Sequence, residues 1–473
     1  MKSHLRRFVR TFLLLCLLGV LRAQETRPNI ILILADDMGY GELGSYGQKL
    51  IATPHLDRLA AEGVRFTQFY AGNTVCAPSR SVLMTGQHMG HTRVRGNAGP
   101  DRPHAQTLRA DDVTVARVLQ QAGYRTGLVG KWGLGLSEEE GEPRRQGFDT
   151  YFGFLSQTHA HNHFPDFLWR DGSKVPLPND IIRVGPVEGV GYATRKLAYA
   201  GDLFAREAKA FVAQNRDTPF FLYLSVIVPH ANNERARETG DGHEVPDYGP
   251  YADKPWPETH KGHAAMITRL DAQIGELLAE LKRLDLDERT LVIFSSDNGP
   301  HNEGGASYDP TFFEVCGPLT GLKRTLTEGG IRVPLIARWP GKITPGVVSP
   351  HVGYFGDFMA TFAELAGAKT PVGTDSISLL PTLLGRGNQS KHHHLYWEFY
   401  EGGVSQAVLL EGRWKGIREN EVTVPIKLFD LSTDLAEQTD VAAKHPAQVA
   451  RIRELMRTTH VDNEHWKIPG LAP

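Results

Sequence analysis

Three largely apolar runs and one mixed, strand-like stretch stand out along the chain, and each stops at polar residues. Asn29 to Ala35 ends in Asp36 and Asp37, and Thr290 to Ser296 ends in Asp297, Asn298 and Gly299. Phe220 to Val228 ends in Pro229 and His230, and Tyr124 to Gly130 delivers Lys131. Continuous runs of this kind, unlike alternating ones, read as strands covered on both faces of a largely parallel sheet. Their carboxyl ends are where open α/β sheets build sites. A helical period replaces the pattern at 54–62, with Leu56 and Leu59 inward, and at 114–122, with Val115, Val118 and Leu119 on one side. Helices are also expected at 357–366 and at 446–459, where Ile452, Leu455 and Met456 form the buried face. Another helical pattern opens with Val82 and Leu83, so Cys76 stands where a loop turns into a helix N-terminus, a position that favours anions. Ser79 and Arg80, just behind it, are too polar for a core segment. After a turn-rich stretch at 367–387 come short strands at 395–399, 405–410, 413–417 and 427–431, an antiparallel set. The expected fold is therefore α/β, with a large mixed, mostly parallel sheet sandwiched by helices and a smaller C-terminal antiparallel sheet plus helix.

Composition narrows the picture further. The 473 residues carry a net charge of only −2, enough chain for two or more domains and no basic excess to suggest nucleic acid. Lys2, Arg6, Arg7 and Arg10 precede the apolar run Thr11 to Leu21, and Ala23 offers a small residue for cleavage, so residues 1–23 read as an export signal. The run is too short to stay in a bilayer as a spanning helix. The product is expected in a periplasm or secreted, with no membrane contact after cleavage, as a catalytic unit over 24–385 and a small α+β unit over 386–473.

The chemistry at the strand ends is that of hard oxygen donors. Asp36, Asp37, Asp297 and Asn298 suit Ca²⁺ or Mg²⁺ rather than zinc or copper. Two further clusters are candidates for reading a substrate. His159 and His161 precede Phe164, Phe167 and Trp169, a mixture of polar heads and flat surfaces suited to a sugar ring, and His301 and Glu303 lie just past a metal strand. The tract Lys391 to His394 reads as a linker or edge strand, since adjacent histidines cannot all face one ion.

Cys76-Ala77-Pro78-Ser79-Arg80, with Leu83 and Gly86, resembles the Cys-x-Pro-Ser-Arg-x-x-Leu-x-x-Gly signature of the type I sulfatases, an eleven-residue pattern with six fixed positions. The block Glu328-Gly329-Gly330-Ile331-Arg332-Val333-Pro334 is similar to a second signature of that family. The resemblance is to the arylsulfatase and N-acetylgalactosamine-6-sulfatase type and extends over nearly all of the chain after the leader. It implies an alkaline-phosphatase-like fold and a sulfuric ester hydrolase. It also implies conversion of Cys76 to 3-oxoalanine (formylglycine) by a maturation enzyme, with the aldehyde hydrate as nucleophile. One cation, usually Ca²⁺, would be held by Asp36, Asp37, Asp297, Asn298 and the modified Cys76. Arg80 would polarise the hydrate, with Asp297 accepting its proton. Lys131 and Lys323 would contact the sulfate, and His230 would stand beside the leaving oxygen, while Arg332 could serve only to anchor its turn. The chain departs from the commonest family form at Gly133, where a histidine is thought to act as the elimination base. Export and the histidine-aromatic loop favour a sulfated polysaccharide or glycosaminoglycan. A phosphonate or phosphodiester hydrolase and a noncatalytic relative binding sulfated glycans are the alternatives.

Overall fold

The computed structural model describes residues 27–98, 102 and 104–471; the expected export signal lies outside them. The strands in chain order are β1 (Asn29–Asp36), β2 (Val64–Tyr70), β3 (Arg125–Lys131), β4 (Thr150–Phe154), β5 (Phe167–Arg170), β6 (Ser173–Pro176), β7 (Asp180–Arg183), β8 (Gly191–Arg195), β9 (Phe220–Pro229) and β10 (Thr290–Ser296). They continue with β11 (Leu335–Arg338), β12 (Val347–Tyr354), β13 (His394–Phe399), β14 (Ser405–Leu410), β15 (Trp414–Arg418) and β16 (Lys427–Asp430). Ten of them form one sheet in the order β12-β2-β11-β10-β1-β9-β3-β4-β5-β6. Its middle is parallel, with β1 between β10 and β9, and β3 between β9 and β4. Antiparallel strands sit toward both edges.

The continuous apolar character of β1 has a direct cause: all eight of its residues are buried. Ile30, Leu32 and Leu34 pack beneath the helices Cys76–Thr85, Val115–Gln121 and Asp357–Leu365. Ile31, Ile33 and Ala35 face the helices Pro54–Ala61, Ala200–Gln214 and Glu258–Arg283 on the other side. This sandwich and the separate antiparallel sheet β13-β14-β15-β16 match the expected fold class. The C-terminal helix Pro446–Thr458 buries Ile452 and Met456 against that small sheet, with Leu455 only partly covered. The histidine tract runs into β13, at the edge of the sheet, and His392 Nε2 lies 2.8 Å from Asp357 Oδ1.

One expectation is corrected. Ser79 and Arg80 are fully buried, as is every residue of the helix Cys76–Thr85. Polarity does not expel them, because each polar atom finds a partner inside. Ser79 Oγ accepts from the Gly72 N–H at 3.0 Å and donates to the Asp297 carbonyl. Arg80 spends its guanidinium on Asp297, Ser225 and the Lys131 carbonyl.

A buried charge cluster ties the two sheets together. Lys415 on β15 donates to Glu328 at 2.7 Å and to Glu437 at 3.2 Å. Glu328 also accepts from Tyr70 Oη at 2.8 Å and from Arg332 at 3.1 Å. Arg332 thus anchors its turn, a role completed by its bonds to the Thr67 carbonyl. Removing one member leaves an uncompensated buried charge, so Lys415→Ala is expected to cost about 3–5 kcal/mol. Urea unfolding followed by tryptophan fluorescence measures this, and a loss below about 1 kcal/mol would show that the cluster does not hold the sheets together.

Candidate active site

The carboxyl ends of the central strands converge with the N-terminus of the helix carrying Cys76. Asp36 and Asp37 leave β1, Lys131 ends β3, His230 follows β9, and Asp297 and Asn298 follow β10. Lys323 comes from the loop ahead of the glycine block, and its backbone N–H donates to the Pro300 carbonyl at 2.8 Å. All seven are buried, Lys323 most exposed at 8 %.

Cys76 opens its helix without a side-chain cap, behind the extended residue Val75. Its Sγ lies 3.3 Å from Asp36 Oδ1. The approaching loop is held by β13, where Trp397 Nε1 donates to the Ala71 carbonyl and Asn73 Nδ2 donates to the Glu398 carbonyl, both at 3.0 Å. Burial, and then the Asp36 charge, push the Cys76 thiol well above its ordinary range. An unmodified Cys76 is therefore a neutral thiol and a poor nucleophile.

Three carboxylates meet three cations around it. Lys131 Nζ donates to Asp36 Oδ2 at 2.6 Å, and Lys323 Nζ donates to Asp37 Oδ2 at 2.8 Å. Arg80 grips Asp297 Oδ2 through Nε at 3.1 Å and through a terminal nitrogen at 2.8 Å, with Asp36 3.8 Å away. Burial alone would raise Asp36, but Lys131 first, then His230 and Arg80, hold it well below the usual carboxylate range. Burial and then Asp36 push Asp297 the other way, against Arg80.

The residues fit a hard divalent cation. Asp36 and Asp37 place carboxylate oxygens within 4.8 Å of one another and of the Cys76 sulfur and a His230 ring nitrogen. Asp297 Oδ1 lies 3.1 Å from the Asp37 N–H, and Asn298 Nδ2 donates to Asp37 Oδ1 at 2.7 Å. Asn298 Oδ1 is buried and has no partner among the described residues. An orphaned amide oxygen beside three carboxylates is the donor set that Ca²⁺ or Mg²⁺ takes.

His230 and Lys323 form a proton-holding pair. His230 Nδ1 donates to the Ala231 carbonyl at 2.7 Å, which leaves Nε2 bare to accept from Lys323 at 3.1 Å. Burial, followed by the Lys323 charge, keeps this imidazole neutral by lowering its pKa well below the ordinary value. Glu303 lies 3.2 Å from Lys323 and also pairs with Arg324. Burial opposes its charge, yet Lys323, His230 and Arg324 hold it far below the usual range.

The other sequence candidates separate. His161 enters the site, its ring stacked on that of His230 at 4.7 Å and 16°. His301 lies beneath it, with Nε2 on the Pro229 carbonyl and Nδ1 accepting from the Glu303 N–H, both at 3.0 Å. His159 is packed elsewhere, its ring 4.8 Å from Phe154 and 4.5 Å from Phe167 under Gly189. Several participants escaped the sequence reading. Ser225 receives Arg80, His163 donates to the His230 carbonyl at 2.8 Å, and Glu234 receives His161 at 3.0 Å. Ser225 left a signal, as a hydroxyl inside an otherwise apolar strand, and so did His163, as the last histidine of the 158–163 cluster.

Gly133 has φ +79°, and a Cβ there would meet Gln157 Oε1 at 2.6 Å. Gln157 thus fills the space above the turn, reaching Asn97 Oδ1 at 3.4 Å, which accepts from the Ala77 N–H at 3.3 Å.

Comparison with known proteins gives the same answer over almost the whole chain. The sulfatase family model matches residues 28–368, and the model of the N-sulphoglucosamine sulphohydrolase C-terminal region matches 322–463. The chain is 36 % identical to human arylsulfatase A (Homo sapiens), covering 90 % of this chain and 87 % of that protein. It is 30 % identical to the N-acetylgalactosamine-6-O-sulfatase of Bacteroides thetaiotaomicron, covering 91 % and 93 %. The crystal structure of Ps i-CgsB in complex with k-i-k-neocarrahexaose superposes with a TM-score of 0.74 at 27 % identity, over 92 % of this chain and 93 % of that one. With a family match that spans the strand-end carboxylates and the Cys76 helix alike, the chain belongs to the sulfatase family of sulfuric ester hydrolases.

Proposed function

We propose that the protein removes sulfate from a sulfated carbohydrate, using an oxidised Cys76 and one divalent cation held by Asp36, Asp37, Asp297 and Asn298. The observation that carries this reading is the convergence of three carboxylates, an unpartnered amide oxygen and three buried cations on the Cys76 side chain. When present, the oxidised residue supplies a hydrate nucleophile and the cation supplies Lewis-acid stabilisation of sulfate charge.

The chain's own residues do the rest. Arg80, fixed on Asp297 and within 3.8 Å of Asp36, orients the groups around position 76. Asp297 is the acceptor for the nucleophile's proton. Lys131 and Lys323 point ammonium groups at the same pocket and offset charge on the sulfate oxygens, an effect worth several kcal/mol where water is excluded. The Lys323–His230 pair holds the proton that the leaving alcohol needs. His301 and Glu303 support that pair from behind.

His230→Asn is expected to lose about 100-fold in kcat/KM on an alkyl or sugar sulfate. On a nitrophenyl sulfate, whose leaving group needs no proton, the loss should be much smaller. Equal losses on the two substrates would remove His230 from the leaving-group role.

Support for a carbohydrate comes from a relative named N-acetylgalactosamine-6-O-sulfatase and from a related structure in complex with k-i-k-neocarrahexaose. The flat rings of Phe164, Phe167 and Trp169 back the same loop, although Phe164 and Phe167 are buried and shape the loop rather than touch a sugar. The leader directs the protein out of the cytoplasm. The test is release of inorganic sulfate by the chain matured with its modifying enzyme, across defined sulfated saccharides, an aryl sulfate and an aryl phosphodiester. Preferential cleavage of the diester would replace this reading with a phosphodiesterase one.

A further inference from the structure

The site described so far has an acid for the leaving alcohol but no base for the second half of the reaction, and Gly133 offers none. Four histidines surround the pocket, and their hydrogen bonds discriminate among them. His230 spends Nδ1 on the Ala231 carbonyl and Nε2 on Lys323. His301 spends both nitrogens on backbone, at Pro229 and Glu303. His163 gives Nε2 to the His230 carbonyl, and its Nδ1, though unpartnered among the described residues, is wholly buried and out of reach of the site's opening. His161 differs from all three. Its Nδ1 lies 3.0 Å from Glu234 Oε2, and among the described residues nothing partners its Nε2. Its side chain keeps 13 % of its surface exposed, while that of Glu234 keeps 7 %.

A carboxylate on one imidazole nitrogen fixes the tautomer, orients the ring and stabilises the cation formed when the other nitrogen takes a proton. Glu234 is suited to hold that charge. It sits in the first turn of the helix Asn233–Thr239, behind Asn232, whose side chain caps the helix by accepting from the Arg235 N–H at 3.0 Å. Burial opposes its ionisation, but the hydrogen bond from His161 and the Arg237 charge keep its carboxyl below the usual range. The stack on His230 sets the His161 ring one ring's thickness from a side chain whose ligand nitrogen lies within 4.8 Å of Cys76 Sγ.

We propose that His161, held by Glu234, is the general base that releases sulfate from the residue at position 76. This rests on the reading of Cys76 as an oxidised nucleophile. His161 Nε2 takes the proton of the remaining hydroxyl on the position-76 carbon. The electrons of that O–H bond become the C=O bond as the C–O bond to sulfate breaks, and inorganic sulfate leaves with the bonding pair. The proton then passes from His161 to water, and the aldehyde is restored with no oxidant or reductant consumed.

The test uses the matured full-length chain with 4-nitrophenyl sulfate. His161→Ala and Glu234→Gln should release one equivalent of nitrophenol per protein in a burst, followed by turnover slowed about 10²–10⁴-fold. The acid-quenched His161→Ala protein should be heavier by one sulfo group, and the wild type should not. A raised KM with no burst and no added mass would overturn the proposal and make His161 a substrate-contacting residue. A second readout needs no activity. In a Cys76→Ala chain, imidazole ¹⁵N spectra should show His161 with a protonated Nδ1 and a bare Nε2, a signature lost in Glu234→Gln. Its persistence without Glu234 would equally overturn the dyad. If the wild type released no sulfate at all, the reading of Cys76 would fail while the imidazole spectra still judged the dyad.

Discussion

Sulfate release by a Cys76→Ala chain is expected to fall by at least about 10⁴-fold, the scale set by removing a nucleophile from an otherwise complete site. The substitution isolates chemistry from folding unusually well. Cys76 is 3 % exposed, and its Sγ makes one polar contact, to Asp36. Losing a single sulfur atom from this position should cost no more than about 1–2 kcal/mol of stability. Asp36 keeps Lys131, so no buried charge is stranded. Ion chromatography of released sulfate, beside a thermal melt, separates the two effects. Activity within about tenfold of the wild type, in a folded protein, would mean that position 76 is not the nucleophile.

The second large effect concerns the cation. Asp37→Asn preserves the shape of a fully buried side chain while deleting one of three clustered charges. Cation stabilisation of a transition state is worth several kcal/mol, so its loss translates to about 10³-fold in rate. Asp37 also neutralises Lys323, which would keep Glu303 at 3.2 Å. Chelation of the wild type should therefore produce a loss of similar size that Ca²⁺ reverses. The Asp37→Asn variant should respond little to either treatment. A wild type indifferent to exhaustive chelation would show that the carboxylates serve the three cations and no metal.

Much of this arrangement was legible because the informative residues are contiguous with strong local patterns. β1, β9 and β10 are buried on both faces, so their runs are largely apolar and their ends are marked by the polar residues that follow. The strands that went unread include those with mixed patterns and the four-residue β11, too short to stand out although wholly buried. In β2 buried and partly buried residues interleave, and its neighbours β12 and β11 lie far along the chain. β7 and β8 pair only with each other near the surface. Within the site, Asp36 and Asp297 were readable because each lies at the end of a strand, whereas Lys131, also at a strand end, stood out only through the family resemblance. Glu234 and Gln157 were not, since both act through residues more than fifty positions away and no spacing encodes such a meeting. Arg80 and Ser79 show the converse limit. Polarity alone argued for exposure, whereas complementary partners from β9 and the loop after β10 make their burial stable.

The hold that β13 keeps on the loop before Cys76 also orders events in time. Trp397 and the Glu398 carbonyl lock that loop only after the last quarter of the chain has been synthesised and docked. Once they do, Cys76 stands behind a fixed loop with 3 % of its surface exposed. If Cys76 is converted as proposed, a purified, folded thiol form is expected to react far more slowly with the modifying enzyme than a polypeptide in which that loop is still free.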